Sequence, residues 1–96
     1  MPLLNGIRVL AFENGLAGPL ATRLLADLGA DVIKVERPDG GDVTRVWDTV
    51  AAGLSSGFVW VNRGKRSVAL DVKDPEHRPA IERLIERSDV VLQNYT

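Results

Sequence analysis

The chain has 96 residues, of which 45% are hydrophobic and 26% charged, and its 12 basic and 13 acidic side chains leave a formal net charge of −1. A chain of this length can bury one modest core, so we expect a single domain over residues 1–96. The balanced charge disfavours a nucleic-acid partner, and the absence of cysteine excludes a disulfide scaffold, a thiolate metal site and a cysteine nucleophile in this sequence.

The first half of the chain predicts a strand, a helix and a second strand. Residues 7–12 form an apolar run rich in strand formers. Leucines at 20, 24, 25 and 28 then fall on one helix face, with Pro19 in the first turn and Gly29 as a C-cap. Residues 31–36 follow at the spacing of a βαβ crossover, so the two strands should be parallel neighbours.

The second half predicts another strand, helix and strand after a segment, residues 43–63, whose structure is undecided. The strand is expected at 67–71, and the helix at 75–87 with Asp74 as its N-cap and Pro75 in its first turn. Residues 89–94 form the fourth strand. This order predicts an α/β fold, a Rossmann-like parallel sheet of about four strands with covering helices, in which the first strand is central if the order is 3-2-1-4.

Two helices would leave much of one sheet face bare, so we expect the fold to need further segments or a partner chain. Residues 1–6 show no signal-peptide pattern, and no apolar run approaches the ~18 residues of a membrane span. With the absence of cysteine, this predicts a cytoplasmic protein without a membrane partner.

The loops that follow the predicted strands are the expected binding site, because open α/β sheets bind ligands beyond the carboxyl ends of their strands. The helix that opens near Gly18 would direct its N–H groups and positive dipole end at a phosphate or carboxylate. Glu36 stands where a nicotinamide dinucleotide would need a ribose-binding acid. However, Gly15 and Gly18 lack the G-x-G-x-x-G spacing, and Arg37 favours an anion instead.

Other polar and aromatic residues have structural and functional interpretations. The cluster of Arg63, Lys65 and Arg66 is either a solvated basic turn, which we favour, or a phosphate contact. His77 is expected to be a surface histidine, because no serine or cysteine nucleophile accompanies it. Turn capping is expected of Asp39, Asp42, Asp71 and Asp74, and packing in the core or at an interface is expected of Trp47, Phe58 and Trp60.

Several motifs follow one another in a fixed order over nearly the whole chain: LxxGIRVL from Leu3, AGP at 17–19, LADLGADVIKVERP at 25–38, GD at 41–42, NRGKRS at 62–67 and DVVLQN at 89–94. Together they resemble the N-terminal segment of the class III CoA-transferases, the superfamily of formyl-CoA transferase, carnitine CoA-transferase and α-methylacyl-CoA racemase. The resemblance implies the N-terminal portion of a larger interlocked-dimer fold.

The resemblance also implies an activity, in which CoA moves between carboxylic acids through a covalent aspartyl intermediate. Coenzyme A or an acyl-CoA would be the substrate, with a carboxylic acid as partner, no metal, and a homodimer as the full-length form. The family's nucleophilic aspartate lies downstream of Thr96. The resemblance therefore implies no catalytic residue in these 96 residues and an inactive chain on its own.

The family's CoA contacts map onto four groups of residues in this sequence. Arg37 would lie near the nucleotide phosphates and Asn94 near the pantetheine or a phosphate. Leu16 stands where formyl-CoA transferases carry a glutamine near the thioester carbonyl, so oxalate and formate are disfavoured as substrates. The backbone of residues 70–73 would surround the adenine. The complete set of implied contacts is Leu16, Ala17, Arg37, Leu70, Asp71, Val72, Lys73, Asn94, Tyr95 and Thr96.

Two alternatives stay open. An α-methylacyl-CoA racemase-like isomerase shares this N-terminal half, although residues 63–67 look closer to the transferases. The chain could also be a non-catalytic CoA-binding or subunit-interaction module.

Overall fold

A computed structural model of the chain describes residues 2–95, which form one parallel sheet of four strands with helices on both faces. The strands are β1 (Arg8–Phe12), β2 (Asp31–Glu36), β3 (Arg66–Ala69) and β4 (Val90–Gln93), in the order β3-β2-β1-β4. The helices are α1 (Ala17–Asp27), α2 (Ser56–Asn62) and α3 (Arg78–Glu86), and a 3₁₀ turn spans Val43–Val46. The predicted α/β class and the central position of the first strand are confirmed.

The core has two layers because successive side chains of β1 and β2 point to opposite faces of the sheet. Val9, Ala11 and Val32 pack on the face covered by α1, where Leu25 completes the cluster. Leu10, Phe12, Ile33 and Val35 pack on the other face, against Ile81 and Leu84 of α3. β1 and β2 are therefore buried on both faces, as the mostly apolar sequence of residues 7–12 predicted for β1.

The outer strands are mostly exposed. In β4, Val90 and Val91 keep 44% and 48% of their surface accessible, and three of the four residues of β3 are also exposed. The sequence predicted that much of one sheet face would be bare, whereas the exposure is confined to the outer strands and affects both faces, since consecutive residues such as Val90 and Val91 are both exposed. Within residues 2–95 no helix is long and apolar enough to cross a membrane.

The start of α3 corrects the sequence prediction. The helix begins at Arg78, with Pro79 in its first turn, and not at Pro75. Asp74 instead caps a preceding turn, since its Oδ1 accepts the Glu76 amide at 2.9 Å. Asp74 and Pro75 suit a turn as well as a helix start, so the pattern alone could not separate the two.

The undecided segment holds the 3₁₀ turn and α2. Ser55 caps α2 by accepting the Phe58 amide at 3.4 Å. Core packing is wrong for the two tryptophans, because Trp47 and Trp60 are 51% and 53% exposed.

Candidate functional site

A cleft of about 660 Å³ opens at the carboxyl ends of the strands, a volume within the usual range of small-molecule sites. Loops that follow all four strands contribute to it, so the expected edge of the sheet is the one that carries the cleft. The lining residues are Glu13, Asn14, Glu36, Arg37, Asp39, Gly41, Asp42, Leu70, Asp71, Val72, Lys73, Asn94 and Tyr95.

Most of the predicted contact residues lie together in this cleft. Leu16 and Ala17 do not line it; they stand at the start of α1, Leu16 as its N-cap residue. Thr96 lies outside the described residues. The predicted contacts that line the cleft are Arg37, Leu70, Asp71, Val72, Lys73, Asn94 and Tyr95.

Arg37 carries an available positive charge at the cleft. One guanidinium nitrogen donates to the Gly41 carbonyl at 3.2 Å, and the side chain forms no salt bridge with any residue from 2 to 95. Lys73, also exposed, adds a second cation on the opposite loop. An anionic ligand could therefore be bound without breaking an existing ion pair.

Asn94 joins the loops that follow β1 and β4. Its Oδ1 accepts the Asn14 amide and its Nδ2 donates to the Asn14 carbonyl, each at 2.9 Å. The close approach depends on Gly18, where a Cβ would lie 2.9 Å from the Asn94 Cγ. Much of the Asn94 side chain thus bonds the protein itself, a use that the sequence did not indicate.

The loop after β3 is held by backbone contacts and by two side chains, those of Asp71 and His77. The Leu70 amide donates to the Glu36 carbonyl at 2.9 Å, and the Lys73 amide donates to Asp71 Oδ1 at 2.9 Å. The Asp71 amide donates to His77 Nδ1 at 2.8 Å. His77 thus lies at the surface with part of its side chain exposed, and its imidazole also makes a structural hydrogen bond that the sequence did not indicate.

Four buried charged side chains lie beneath the cleft. Lys34 Nζ is 3.0 Å from Glu13 Oε2 and 2.7 Å from Asp42 Oδ2, and Lys65 Nζ is 2.6 Å from Glu13 Oε2. The side chains are at most 2% exposed. Two positive and two negative charges balance, which burial at this depth requires.

The same four groups connect the surrounding loops. Lys65 also donates to the Pro19 carbonyl at 2.9 Å and to Asn62 Oδ1 at 3.0 Å. Asp42 Oδ1 accepts the Gly15 amide at 3.2 Å. The network therefore sets the path of the chain between β1 and α1.

Sequence reasoning missed this network. Lys34 gave one available signal, because a lysine at the centre of a strand covered on both faces must be buried and needs carboxylate partners. Asp42 was expected only to cap a turn; it does accept the Thr44 amide at 2.9 Å, but it also pairs with Lys34.

Two groups at this edge have strongly shifted pKa values. Burial lowers the pKa of Lys65 to about 8, although its hydrogen bond to Glu13 acts in the opposite direction. Burial alone would raise the pKa of Glu36, but hydrogen bonds from Arg45, Ser67 and the Asp42 amide outweigh it and lower the pKa to about 2. The Lys65 shift thus follows from removal of the ammonium from water, whereas the Glu36 shift follows from hydrogen bonds to the carboxylate.

The basic cluster near β3 separates into three unrelated ion pairs. Arg63 pairs with Asp27 at 3.1 Å and Arg66 with Asp31 at 2.7 Å, while Lys65 points inward to Glu13. The solvated-turn interpretation is thus wrong for Lys65, and none of the three residues lines the cleft.

Glu36 does not offer a free carboxylate for a ribose. Its Oε1 and Oε2 accept from Arg45 Nε and Nη2, each at 2.7 Å, and Ser67 Oγ donates to Oε2 as well. The dinucleotide interpretation therefore loses its acidic contact. Across residues 2–95, no group of three or more His, Asp or Glu side chains is arranged to hold a metal ion.

Comparison with known proteins identifies the family, since residues 4–96 match CoA-transferase family III. The chain belongs to this family. It is similar to the succinate–glutarate CoA-transferase of Agrobacterium fabrum, with 46% identity over 98% of this chain and 25% of the relative. It is also similar to the formyl-CoA:oxalate CoA-transferase of Afipia carboxidovorans, with 45% identity over 96% of this chain and 22% of the relative.

Solved structures of the family have the same fold. A hypothetical protein from Mycobacterium tuberculosis is 42% identical and superposes with a TM-score of 0.86, over 99% of this chain and 26% of that one. A CAIB/BAIF family protein from Brucella suis is also 42% identical, with a TM-score of 0.85 over 97% and 26% of the two chains. The chain spans about a quarter of the length of these relatives.

Proposed function

We propose that this chain is the CoA-binding portion of a family III CoA-transferase that moves CoA between carboxylic acids. The observation that carries the proposal is the cleft, which Arg37 and residues 70–73 both line and in which Arg37 forms no ion pair with the described residues. An arginine at a cleft of this size suits the phosphates of a nucleotide-bearing thioester.

The proposed binding mode assigns one part of CoA to each loop. Arg37 binds the nucleotide phosphates, and residues 70–73 enclose the adenine with their backbone. The pantetheine arm passes Asn94 and Tyr95 toward Leu16 and Ala17 at the start of α1, where the thioester lies. The backbone amide of Gly15 donates a hydrogen bond to Asp42 Oδ1, so the turn has its shape before the ligand binds.

The proposed chemistry is group transfer through an aspartate supplied by residues other than these 96. Its carboxylate attacks the thioester carbon to form a mixed anhydride and release CoA thiolate, and the thiolate then attacks the aspartyl carbon, expels the donor acid as its carboxylate and leaves an aspartyl-CoA thioester. The acceptor carboxylate attacks this thioester to form a second mixed anhydride and release CoA thiolate. The thiolate attacks the acyl carbon of the acceptor, which gives the new acyl-CoA and regenerates the aspartate. The described residues would hold and orient the CoA during these steps. The active form is proposed to be a homodimer in the cytoplasm.

The acids are proposed to be longer dicarboxylates, of four or five carbons, rather than oxalate or formate. Relatives of 46% and 49% identity are named for succinate–glutarate and for succinyl-CoA:mesaconate exchange. Leu16 supports this preference, because its 41% exposed side chain offers no hydrogen-bond donor to a small acyl group.

Calorimetry with CoA tests the proposal in the complete polypeptide that contains these residues. We expect saturable binding that Arg37→Ala weakens by about tenfold, since a charge-assisted contact to phosphate is lost. Arg87→Ala is the matched control, because Arg87 follows α3 at the opposite edge of the sheet. Binding unaffected by Arg37→Ala would refute the phosphate contact, and no binding would refute the function.

An exchange assay separates the transferase from the racemase. A transferase should consume succinyl-CoA only when a second carboxylic acid is present, and the new thioester should form in an amount equal to the succinyl-CoA consumed. Inversion of a 2-methylacyl-CoA without an acceptor acid would instead identify the isomerase.

A further inference from the structure

His77 makes one contact that the binding mode above does not use. It stands just before α3 and forms no side-chain cap of that helix. Its imidazole reaches back six residues, and Nδ1 accepts the Asp71 amide at 2.8 Å. The bond therefore ties the start of α3 to the loop that lines the cleft.

Within residues 2–95, His77 Nδ1 is the one hydrogen-bond acceptor of the Asp71 amide. Its neighbours in the loop have other partners: the Leu70 amide bonds the Glu36 carbonyl, and the Asp74 amide bonds the Asp71 carbonyl at 3.1 Å. The backbone at Asp71 is thus fixed from β2 on one side and from the turn at Asp74 on the other. His77 fixes the point between them.

The contact also defines which nitrogen of the imidazole carries the proton. Nδ1 must carry the lone pair to accept an N–H, so the proton of the neutral ring is on Nε2, which faces Asp74 Oδ2 at 3.7 Å. An asparagine at this position could supply an oxygen acceptor near the place of Nδ1. An alanine could not.

We infer that His77 is a positioning residue for the nucleotide end of the cleft, acting through the Asp71 amide on the loop of residues 70–73. This rests on the proposed CoA site. His77 does not line the cleft and touches no ligand in this proposal. Its effect should therefore be confined to ligands that carry the adenosine part and absent from those that lack it.

The test compares CoA with 4′-phosphopantetheine, which lacks the adenosine, as ligands of the complete polypeptide. We expect His77→Ala to weaken CoA binding by about fivefold to tenfold, the usual worth of one hydrogen bond. His77→Asn should restore the affinity to within about twofold of the wild type. Phosphopantetheine binding should be the same in all three proteins, and Glu76→Ala, an exposed change in the same turn, serves as the control.

Hydrogen–deuterium exchange of the peptide that covers residues 70–73 gives a second measurement without any ligand. Exchange should be faster in His77→Ala and near the wild-type rate in His77→Asn. Unchanged CoA affinity in His77→Ala, equal weakening of both ligands, or failure of asparagine to restore binding would each overturn the inference. If wild-type protein binds no CoA at all, the proposed function fails instead.

Discussion

Lys65 and Glu13 form a buried ion pair, with 2.6 Å between Nζ and Oε2, although 52 residues separate them in the sequence. Glu13 directly follows β1 and Lys65 directly precedes β3, two strands that are not neighbours in the sheet. The pair thus joins the loops on either side of β2, where Lys34 supplies the second cation to the same carboxylate.

Replacement of Lys65 by methionine should destabilise the fold by about 3 kcal/mol, because Glu13 then keeps only Lys34 as a buried counter-charge. Urea unfolding measures the change. Arg63→Gln, which removes the exposed pair with Asp27, should cost less than ~1 kcal/mol. Equal losses of unfolding free energy in the two variants would show that burial does not increase the contribution of the Lys65 pair to stability.

Acid should weaken the fold through Glu36. Its pKa of about 2 in the folded state is below the ordinary 4.5, so the charged carboxylate stabilises the fold above pH 4.5. That contribution is lost as the pH falls from 4.5 toward 2, when the unfolded chain binds the proton first. Urea unfolding at about pH 5 and about pH 3 should show a smaller difference in Glu36→Gln than in the wild type. The same pH dependence in both would contradict the assignment.

A methyl group at Gly18 should displace the side chain of Asn94, which lines the cleft. In Gly18→Ala the new Cβ would meet Asn94 Cγ at 2.9 Å and separate the Asn94 amide from Asn14, at a cost of about 1–3 kcal/mol. The double variant with Asn94→Ala should be less destabilised than the sum of the two single variants, because the clash disappears. Thermal unfolding of all four proteins gives the coupling. If the losses of stability in the two single variants simply add in the double variant, the destabilisation by Gly18→Ala does not come from the clash with Asn94.

Salt should compete with the ligand at Arg37. Because this side chain is exposed, raising the ionic strength from about 0.05 to 0.2 M should weaken CoA binding in the wild type. Arg37→Ala should show a clearly smaller salt dependence, while Arg87→Ala should behave as the wild type. Calorimetric titrations at the two salt concentrations check this, and an unchanged slope in Arg37→Ala would exclude the contact.

The central strands and α1 could be predicted because their signals are local. Residues 7–12 are a mostly apolar run, residues 31–36 carry Val32, Ile33 and Val35 directly after a helix, and the leucines of α1 repeat at helical spacing. α2 could not be predicted, since it has seven residues and derives its start from a Ser55 cap beside glycines 53 and 57. Short helices carry too little periodicity to stand out.

The position of the cleft was predicted at the level of loops but not of side chains. The rule for open α/β sheets selected the edge that carries the cleft, and Arg37 and residues 70–73, which the family resemblance named, line it. The burial of Lys65 and the turn of His77 toward Asp71 depend on residues brought close only by folding. Neither pair has a spacing in sequence that a motif could encode.

The position of β1 at the centre of the sheet determines when the sheet can close. Its first edge pairs with β2 about twenty residues later, but its second edge pairs with β4, where Val9 meets Val90 and Phe12 meets Gln93. During synthesis on the ribosome, β1 is made before the strands it pairs with, and its second edge cannot pair until β4 has been made about eighty residues later. Contacts of such long sequence separation slow folding, so this edge of a buried strand stays unpaired for longer than the edge that meets β2.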